Sequence, residues 1–274
     1  MKQMIMTADD YGMSEAVDTG ILELIEKGRL TATSCLTLSP RWKRAAQHIT
    51  PEIRAKADIG LHLDFTEYAQ ALRLPLWQLI LKSHAKLLPK KALRLAINAQ
   101  LDLFEEALEG PPDYVDGHLH VHQLPQIRDV LIEELCFRYG KNMPWIRVAN
   151  PPIRDGWKAF LIGLLGASPM REQLGVLGIR HTTKLLGIYQ FNLTKDEYIN
   201  RLDRWLGFSS RKKQCVAFMS HPAKQLKSQP SVDPHFLSRA IEYQIFEDVS
   251  FKMQLEKHQI VLVRGDALTL NEAV

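Results

Sequence analysis

The chain has 274 residues, with 35 Lys and Arg against 31 Asp and Glu, a formal net charge of +4. Hydrophobic residues make up 46% and charged residues 24%, which excludes a disordered chain, a collagen-like repeat and a disulfide scaffold. The charge excess is small and dispersed, so nucleic acid is not an expected partner; the run Arg211-Lys212-Lys213 reads as a solvated turn.

In chain order, residues 4–8 form a short apolar run that reads as a strand and ends on Asp9-Asp10-Tyr11-Gly12. No long apolar core or small-residue cleavage site precedes it, so no signal peptide is expected. Ser14 with Asp18, and later Thr194 before Lys195-Asp196-Glu197, read as helix starts. Further apolar runs at 33–38, 58–63, 114–119, 145–149, 215–220 and 259–264 read as strands. Between them lie stripes of helical period: Leu93, Ile97, Leu101, Phe104 and Leu108; Ile127, Leu131 and Leu135; Ile241, Ile245, Val249 and Met253. Strand followed by helix, about seven times, predicts an α/β fold with a mainly parallel sheet, a barrel or an open sheet. One domain over 1–274 is expected, with irregular insertions around 66–112 and 150–190. The apolar stretch 159–167 is far short of the ~20 residues of a membrane span. Cys35, Cys136 and Cys215 have no metal-site spacing and are expected to pack as small apolar groups, the first and last in buried strands. A cytoplasmic protein is the expectation.

Asp9-Asp10, His62, His118 to His122 and His221 all fall at the C-terminal ends of predicted strands, the edge where α/β sheets assemble their sites. Asp9 and Asp10 can face one site only where their strand is already turning, because successive strand residues point to opposite faces; otherwise they are turn residues. His62 sits in Gly60-Leu61-His62-Leu63, and taken alone it reads as a packed or surface histidine. In Asp116-Gly117-His118-Leu119-His120-Val121-His122 three imidazoles recur at period two, on one face if the strand continues, and Asp116 could orient one of the rings. His221 precedes Pro222, which biases it to extended backbone. His48, His84, His181, His235 and His258 read as solvent-exposed. A carboxylate and two imidazoles suit a divalent ion with open positions for water, while a spare carboxylate and a spare histidine could move protons. That is equipment for metal-assisted hydrolysis, above all of an amide. A two-metal phosphoesterase, another amidohydrolase and a non-catalytic sugar- or metal-binding protein are the alternatives. No GxSxG or Walker A loop is present.

The motifs Thr7-Ala8-Asp9-Asp10-Tyr11-Gly12, Gly60-Leu61-His62-Leu63, Asp116 to His122 and Ser220-His221-Pro222-Ala223 resemble, in order and spacing, those of the YdjC-like carbohydrate deacetylases. The Asp-Asp start is also similar to NodB-type polysaccharide deacetylases. The resemblance implies a distorted (β/α) barrel-like fold and removal of acetyl from an N-acetylated sugar with one divalent ion, Mg²⁺ or Zn²⁺. It implies Asp10, His62 and His118 as metal ligands, Asp9 as general base and His221 as general acid. His120, His122, Asp116, Arg147 and Tyr11 would then touch substrate or support the ligands. Tyr11 stands where Phe is usual in the family and Gly117 where Ser is frequent in its chitooligosaccharide branch; 66–112 and 150–190 depart from that branch. The family also includes homodimers. Tyr68, Trp77, Trp145, Trp157 and Tyr189 could stack on sugar rings or belong to the core.

Overall fold

The structure, a computed structural model, describes residues 1–152, 155–208, 215–226 and 233–268; Arg211, Lys212, Lys213 and the side chain of Trp157 fall outside it. The strands are β1 (Lys2–Tyr11), β2 (Ala32–Cys35), β3 (Asp58–Leu63), β4 (Tyr114–Gly117), β5 (Trp145–Ile146), β6 (Lys184–Leu186), β7 (Val216–Ser220) and β8 (Ile260–Leu262). All pairings are parallel, in the order β5-β4-β3-β2-β1-β7-β6, with β8 added beside the first residues of β1. A bridge between Ile146 and His181, with 3.0 Å bonds from Ile146 N to Arg180 O and from Thr182 N to Ile146 O, brings the two ends together. Read around that circle, β1 to β7 follow one another in chain order. The sheet is a distorted barrel of the expected class.

The helices α1 (Glu15–Glu26), α2 (Trp42–Ala46), α3 (Pro51–Lys56), α4 (Leu76–His84), α5 (Lys90–Leu108), α6 (Pro125–Tyr139), α7 (Trp157–Leu164), α8 (Ala167–Val176), α9 (Lys195–Leu206), α10 (Phe236–Glu247) and α11 (Val249–Lys257) lie between the strands. Ser14 caps α1, and Thr194 with Glu197 forms a capping box on α9, as their sequence positions predict. The expected irregular stretches are instead largely ordered: α4 and α5 occupy the first, and α7, α8 and the unpredicted β6 the second. The stripe Ile241–Ile245–Val249–Met253 does not survive as one face. Asp248 turns extended and caps α11, so Val249 and Met253 are left exposed. Cys35 is buried and Cys215 half-buried, but Cys136 is exposed on α6.

Side-chain alternation along the strands separates two layers of core. Met4, Met6, Ala8, Ile59, Leu61, Val115 and Phe218 join the large cluster shared with the helices. Ile5, Ala32, Tyr114, Trp145, Leu185, Ala217 and Met219 pack together inside the curl. Tyr114 and Trp145 stack there at 4.3 Å, and Gly60 makes room, since a β-carbon on it would lie 2.5 Å from the Tyr114 ring. The inward positions further along the same strands are Thr7, Ser34, His62, Asp116 and Arg147, all buried. An apolar plug therefore fills the barrel floor, and a polar layer rests on it at the C-terminal edge.

Candidate active site

β1 pairs with β2 at Ala8↔Thr33 and next at Tyr11↔Cys35, so β1 accommodates one extra residue between those points. This bulge, with Asp10 in the left-handed region at φ 71°, delivers Asp9 and Asp10 to the same cleft despite their adjacency. A non-glycine residue there costs of order 1–3 kcal/mol, which the surroundings must supply. The same turn sends Tyr11 the other way. Its ring is fully buried and its hydroxyl donates to Ala45 O at 2.8 Å, so Tyr11 is a core residue and does not touch the site.

Arg147, itself 1% exposed, organises the floor of the cleft. It donates to both oxygens of Asp9 at 2.7 Å and to Thr7 Oγ1 at 2.7 Å, and it pairs with Asp116 Oδ2 at 2.6 Å. Burial pushes the Asp9 carboxyl up; Arg147 opposes this and Asp116 adds to it, with a net rise. Asp116 faces His62 across the β3–β4 ladder and holds its Nδ1 at 2.6 Å, with Ser34 Oγ at 3.1 Å from the same atom. His62 Nε2 is thereby aimed at Asp10 Oδ1, 3.4 Å away. His118 follows β4, and its Nδ1 meets Thr66 Oγ1 at 2.8 Å. Asp64 fixes that loop by accepting from the backbone N–H groups of Thr66, Glu67, Tyr68 and Ala69 at 2.6–3.0 Å. Burial opposes ionisation of Asp64, yet those amides bring its carboxyl below the usual range.

Among the described residues one set has the close spacing of a metal site, and a second, Asp10, His62 and His118, is looser because its ligand atoms do not all lie within 4.8 Å of one another. Asp9, His62 and Asp116 offer ligand atoms within 4.8 Å of one another, but the Arg147 guanidinium already sits on both carboxylates. In Asp10, His62 and His118, by contrast, each imidazole uses Nδ1 on a protein partner and keeps Nε2 for the cleft. Asp10 Oδ1 is buried with no hydrogen-bond partner, while Oδ2 accepts from Arg239 at 2.7 Å. Two ligand atoms ~2.1 Å from a tetrahedral ion lie about 3.4 Å apart, the spacing of Asp10 Oδ1 and His62 Nε2. A carboxylate behind the histidine, here Asp116, is the usual support for such a ligand. Burial pushes Asp10 up, but Arg239 and His62 more than offset it and hold the carboxyl well below the ordinary range. Burial alone would lower His62; Asp116 and Asp10 outweigh it and raise the ring to about 10.

The other histidines of the cluster separate. β4 stops at Gly117, and Leu119 and His120 take left-handed backbone inside a 3₁₀ turn (His118–Gln123), so the three rings do not share a face. His120 lines the cleft. His122 is fully buried beneath it with Nε2 at 2.9 Å from Arg147 O, and burial lowers it to about 4. His221 follows β7 and places Nε2 3.9 Å from Asp9 Oδ2; burial pulls this ring well below its ordinary value, so it is neutral at pH 7.

The cleft has a volume of about 720 Å³. Tyr68 and Tyr189 line it, Trp77 is exposed, and Trp145 belongs to the barrel floor. Several residues that line or support it escaped sequence reasoning. Arg239 and Glu242 come from the buried face of α10, Asp64 and Thr66 from the loop after β3, and Phe191 and His235 stack at 4.7 Å on the wall. His235 and His181 were expected in solvent; the first lines the cleft, and the second is buried at the bridge that closes the barrel. Charges at i and i+3 on the face that also carries Tyr243 and Phe246 were the available signal for Arg239 and Glu242.

The family described as YdjC-like protein matches residues 3–257. Curated relatives include the chitooligosaccharide deacetylase of Proteus mirabilis (strain HI4320), 32% identical over 156 residues, 53% of this chain and 58% of the relative. That of Escherichia fergusonii is 28% identical over 135 residues, 45% of this chain and 52% of the relative. The matches thus span little more than half the length of these relatives. Among solved structures, a protein of Enterococcus faecalis V583 provisionally named for cellobiose-phosphate cleavage has a TM-score of 0.68 at 20% identity, over 97% of this chain and 98% of that one. A mutant of a CE4 family pseudoenzyme has a TM-score of 0.51 at 11% identity, over 99% of this chain and 68% of that one. At such identities the likeness establishes the fold alone.

Proposed function

The chain belongs to the YdjC-like family, and we propose that it is a metal-dependent carbohydrate deacetylase of the cytoplasm, hydrolysing the N-acetyl group of an amino sugar to acetate and a free amine. The observation that carries this reading is the buried, unpartnered Asp10 Oδ1 facing His62 Nε2, with Asp9 and His221 beside it. Asp10, His62 and His118 are the proposed ligands. Two imidazoles with one carboxylate favour Zn²⁺ over Mg²⁺. Bound there, the ion would polarise the acetamide carbonyl and bring the pKa of a water towards ~7.

Asp9 is the proposed base. Burial raises its basicity, and the Arg147 fork fixes both oxygens while leaving each a second lone pair for the water proton. His221 is the proposed donor to the departing nitrogen. Because the ring is neutral at the start, its proton has to arrive during the cycle; in this reading it is the one Asp9 takes from water, relayed across the 3.9 Å from Asp9 Oδ2 by a small closing movement or one intervening water. Arg147 and Asp116 hold the base and His62 in place, His120 faces substrate, and His122 supports the Arg147 main chain. Metal analysis of the purified protein, coupled to acetate release over a panel of N-acetylated sugars, tests the reading. One divalent ion per chain and acetate from at least one sugar are expected. Two ions per chain with phosphate-ester hydrolysis, or sugar binding without acetate release, would replace it with one of its rivals.

A further inference from the structure

We propose that α10 is the positioning element of this site: Arg239 fixes Asp10 with one oxygen left free, and Glu242, three residues on, fixes the main chain that carries His221. The inference rests on the reading of Asp10 as a ligand and His221 as the proton donor. Arg239 Nη2 lies 2.7 Å from Asp10 Oδ2, and its Nε pairs with Asp233 Oδ2 at 2.6 Å. The arginine is 4% exposed, so it cannot swing away into solvent, and the left-handed Asp10 has this clamp to hold its carboxylate. Occupying Oδ2 leaves Oδ1 as the ligand atom and enforces one-oxygen coordination.

The second half is a complete account of backbone donors. Pro222 has no N–H, so the segment 221–223 has two, and both go to α10. His221 N donates to Glu242 Oε2 at 2.5 Å, and Ala223 N donates to Arg239 O at 3.1 Å. Glu242 is fully buried, and its other oxygen is held by the Tyr189 hydroxyl at 2.7 Å. One helix thus holds both the proposed ligand carboxylate, through Arg239, and the main chain that carries His221, through Glu242 and the Arg239 carbonyl.

The test uses the full chain as wild type, Arg239→Gln, Glu242→Ala and Glu242→Gln. Zn²⁺ affinity is measured by titration against a competing chelator, and kcat and KM on the sugar that the wild type deacetylates. Arg239→Gln should weaken Zn²⁺ binding about 10–100-fold, the usual loss when a partner behind a ligand is removed. Glu242→Ala should leave Zn²⁺ affinity within about twofold and KM nearly unchanged, while kcat falls about 10–100-fold through misplacement of His221. Glu242→Gln still accepts from His221 N and should recover most of the loss. Wild-type Zn²⁺ affinity in Arg239→Gln overturns the first half. Wild-type kcat in Glu242→Ala, or Zn²⁺ binding weakened as much as in Arg239→Gln, overturns the second. If the wild type releases acetate from no sugar, the deacetylase reading fails separately. The Zn²⁺ titration still decides Arg239, and crystal structures of Glu242→Ala and wild type decide Glu242, an unmoved His221 refuting it. Should Glu242→Ala not fold, hydrogen exchange in the wild type decides: the His221 amide should be protected, and rapid exchange overturns the inference.

Discussion

Glu242→Gln should raise stability strongly at pH 8 and by under about 1 kcal/mol at pH 5. Glu242 is fully buried, and burial pushes its carboxyl up from 4.5 to about 7, with the His221 amide and the Tyr189 hydroxyl pulling the other way. Between those two pH values the folded chain holds a proton that the unfolded chain has released. Stability therefore falls as pH rises through the window. At about 1.36 kcal/mol per unit, the full excursion is worth about 3 kcal/mol, lost by the time the pH passes 7. Glutamine is uncharged at every pH and has nearly the same shape. Well below pH 4.5 both side chains are neutral, and the Tyr189 hydroxyl can turn to accept from either, so the variant gains nothing there. Thermal melts of chelator-treated protein from pH 5 to 8 measure the difference; chelation keeps the charge of a bound ion out of the comparison. With ~2–4 °C per kcal/mol for a chain of this size, the variant should melt about 6–12 °C above wild type at pH 8. A melting difference that stays constant from pH 5 to 8 refutes the argument.

Asp9→Asn keeps the shape of the side chain and removes the base; kcat should fall about 10²–10⁴-fold while metal content stays at wild-type level, and a near wild-type rate excludes Asp9 as the base. Gly187 has φ 89°, and a β-carbon there would lie 2.1 Å from the Met219 carbonyl oxygen. Gly187→Ala should therefore cost about 2–4 kcal/mol in denaturant unfolding, by strain and by displacing the segment that carries Tyr189. Gln100 exchanges two hydrogen bonds with the Asp64 backbone at 2.8 and 3.0 Å, so Gln100→Leu should cost about 2–4 kcal/mol and expose 64–69 to proteolysis. Because Asp116 and Asp10 raise His62 to about 10, Zn²⁺ has to displace one proton from it; affinity should rise about tenfold per pH unit between pH 6 and 8, and a flat profile would remove His62 from the ligand set.

The sequence carried the barrel because its evidence is periodic. β3 was readable over its whole length, since Asp58–Leu63 is an apolar run with clear ends. β6 was not: Lys184–Leu186 is three residues long and too short to show alternation. The strand edge also predicted where Asp9, Asp10, His62, His118 and His221 would converge, since topology places every strand's C-terminal end together. What remained hidden was local backbone geometry. The bulge that makes room for both aspartates, and removes Tyr11 from the site, leaves no pattern in Asp9-Asp10-Tyr11. Nor does the turn at Leu119 and His120 that breaks the apparent row of histidines. Arg239 and Glu242 are obscured by the apolar stripe Ile241–Ile245–Val249–Met253, which runs through Asp248 into a second helix. Once the helix ends there, the buried face runs through Arg239, Glu242, Tyr243 and Phe246 instead.

The charge balance of the buried layer bears on the cation proposed for this site. Arg147 and Arg239, which carry two positive charges, pair with the buried carboxylates of Asp9, Asp10 and Asp116 and with the less deeply buried Asp233. In a low-dielectric interior one uncompensated charge is expensive, and the chain without an ion meets the deficit by holding a proton on His62. That proton occupies the lone pair proposed for the metal, on the ring that Asp116 orients. A divalent ion in its place would add one net positive charge to the layer, would keep the carboxylates ionised, Asp9 included, and would favour the negative charge that develops on a carbonyl oxygen under attack. The arginines prevent the obvious alternative, because each is committed to carboxylate oxygens and neither can be displaced without leaving a buried guanidinium unpaired. A neutral substitute for either arginine would therefore change the ion's affinity and the oxyanion's stability together, although neither side chain is a proposed ligand.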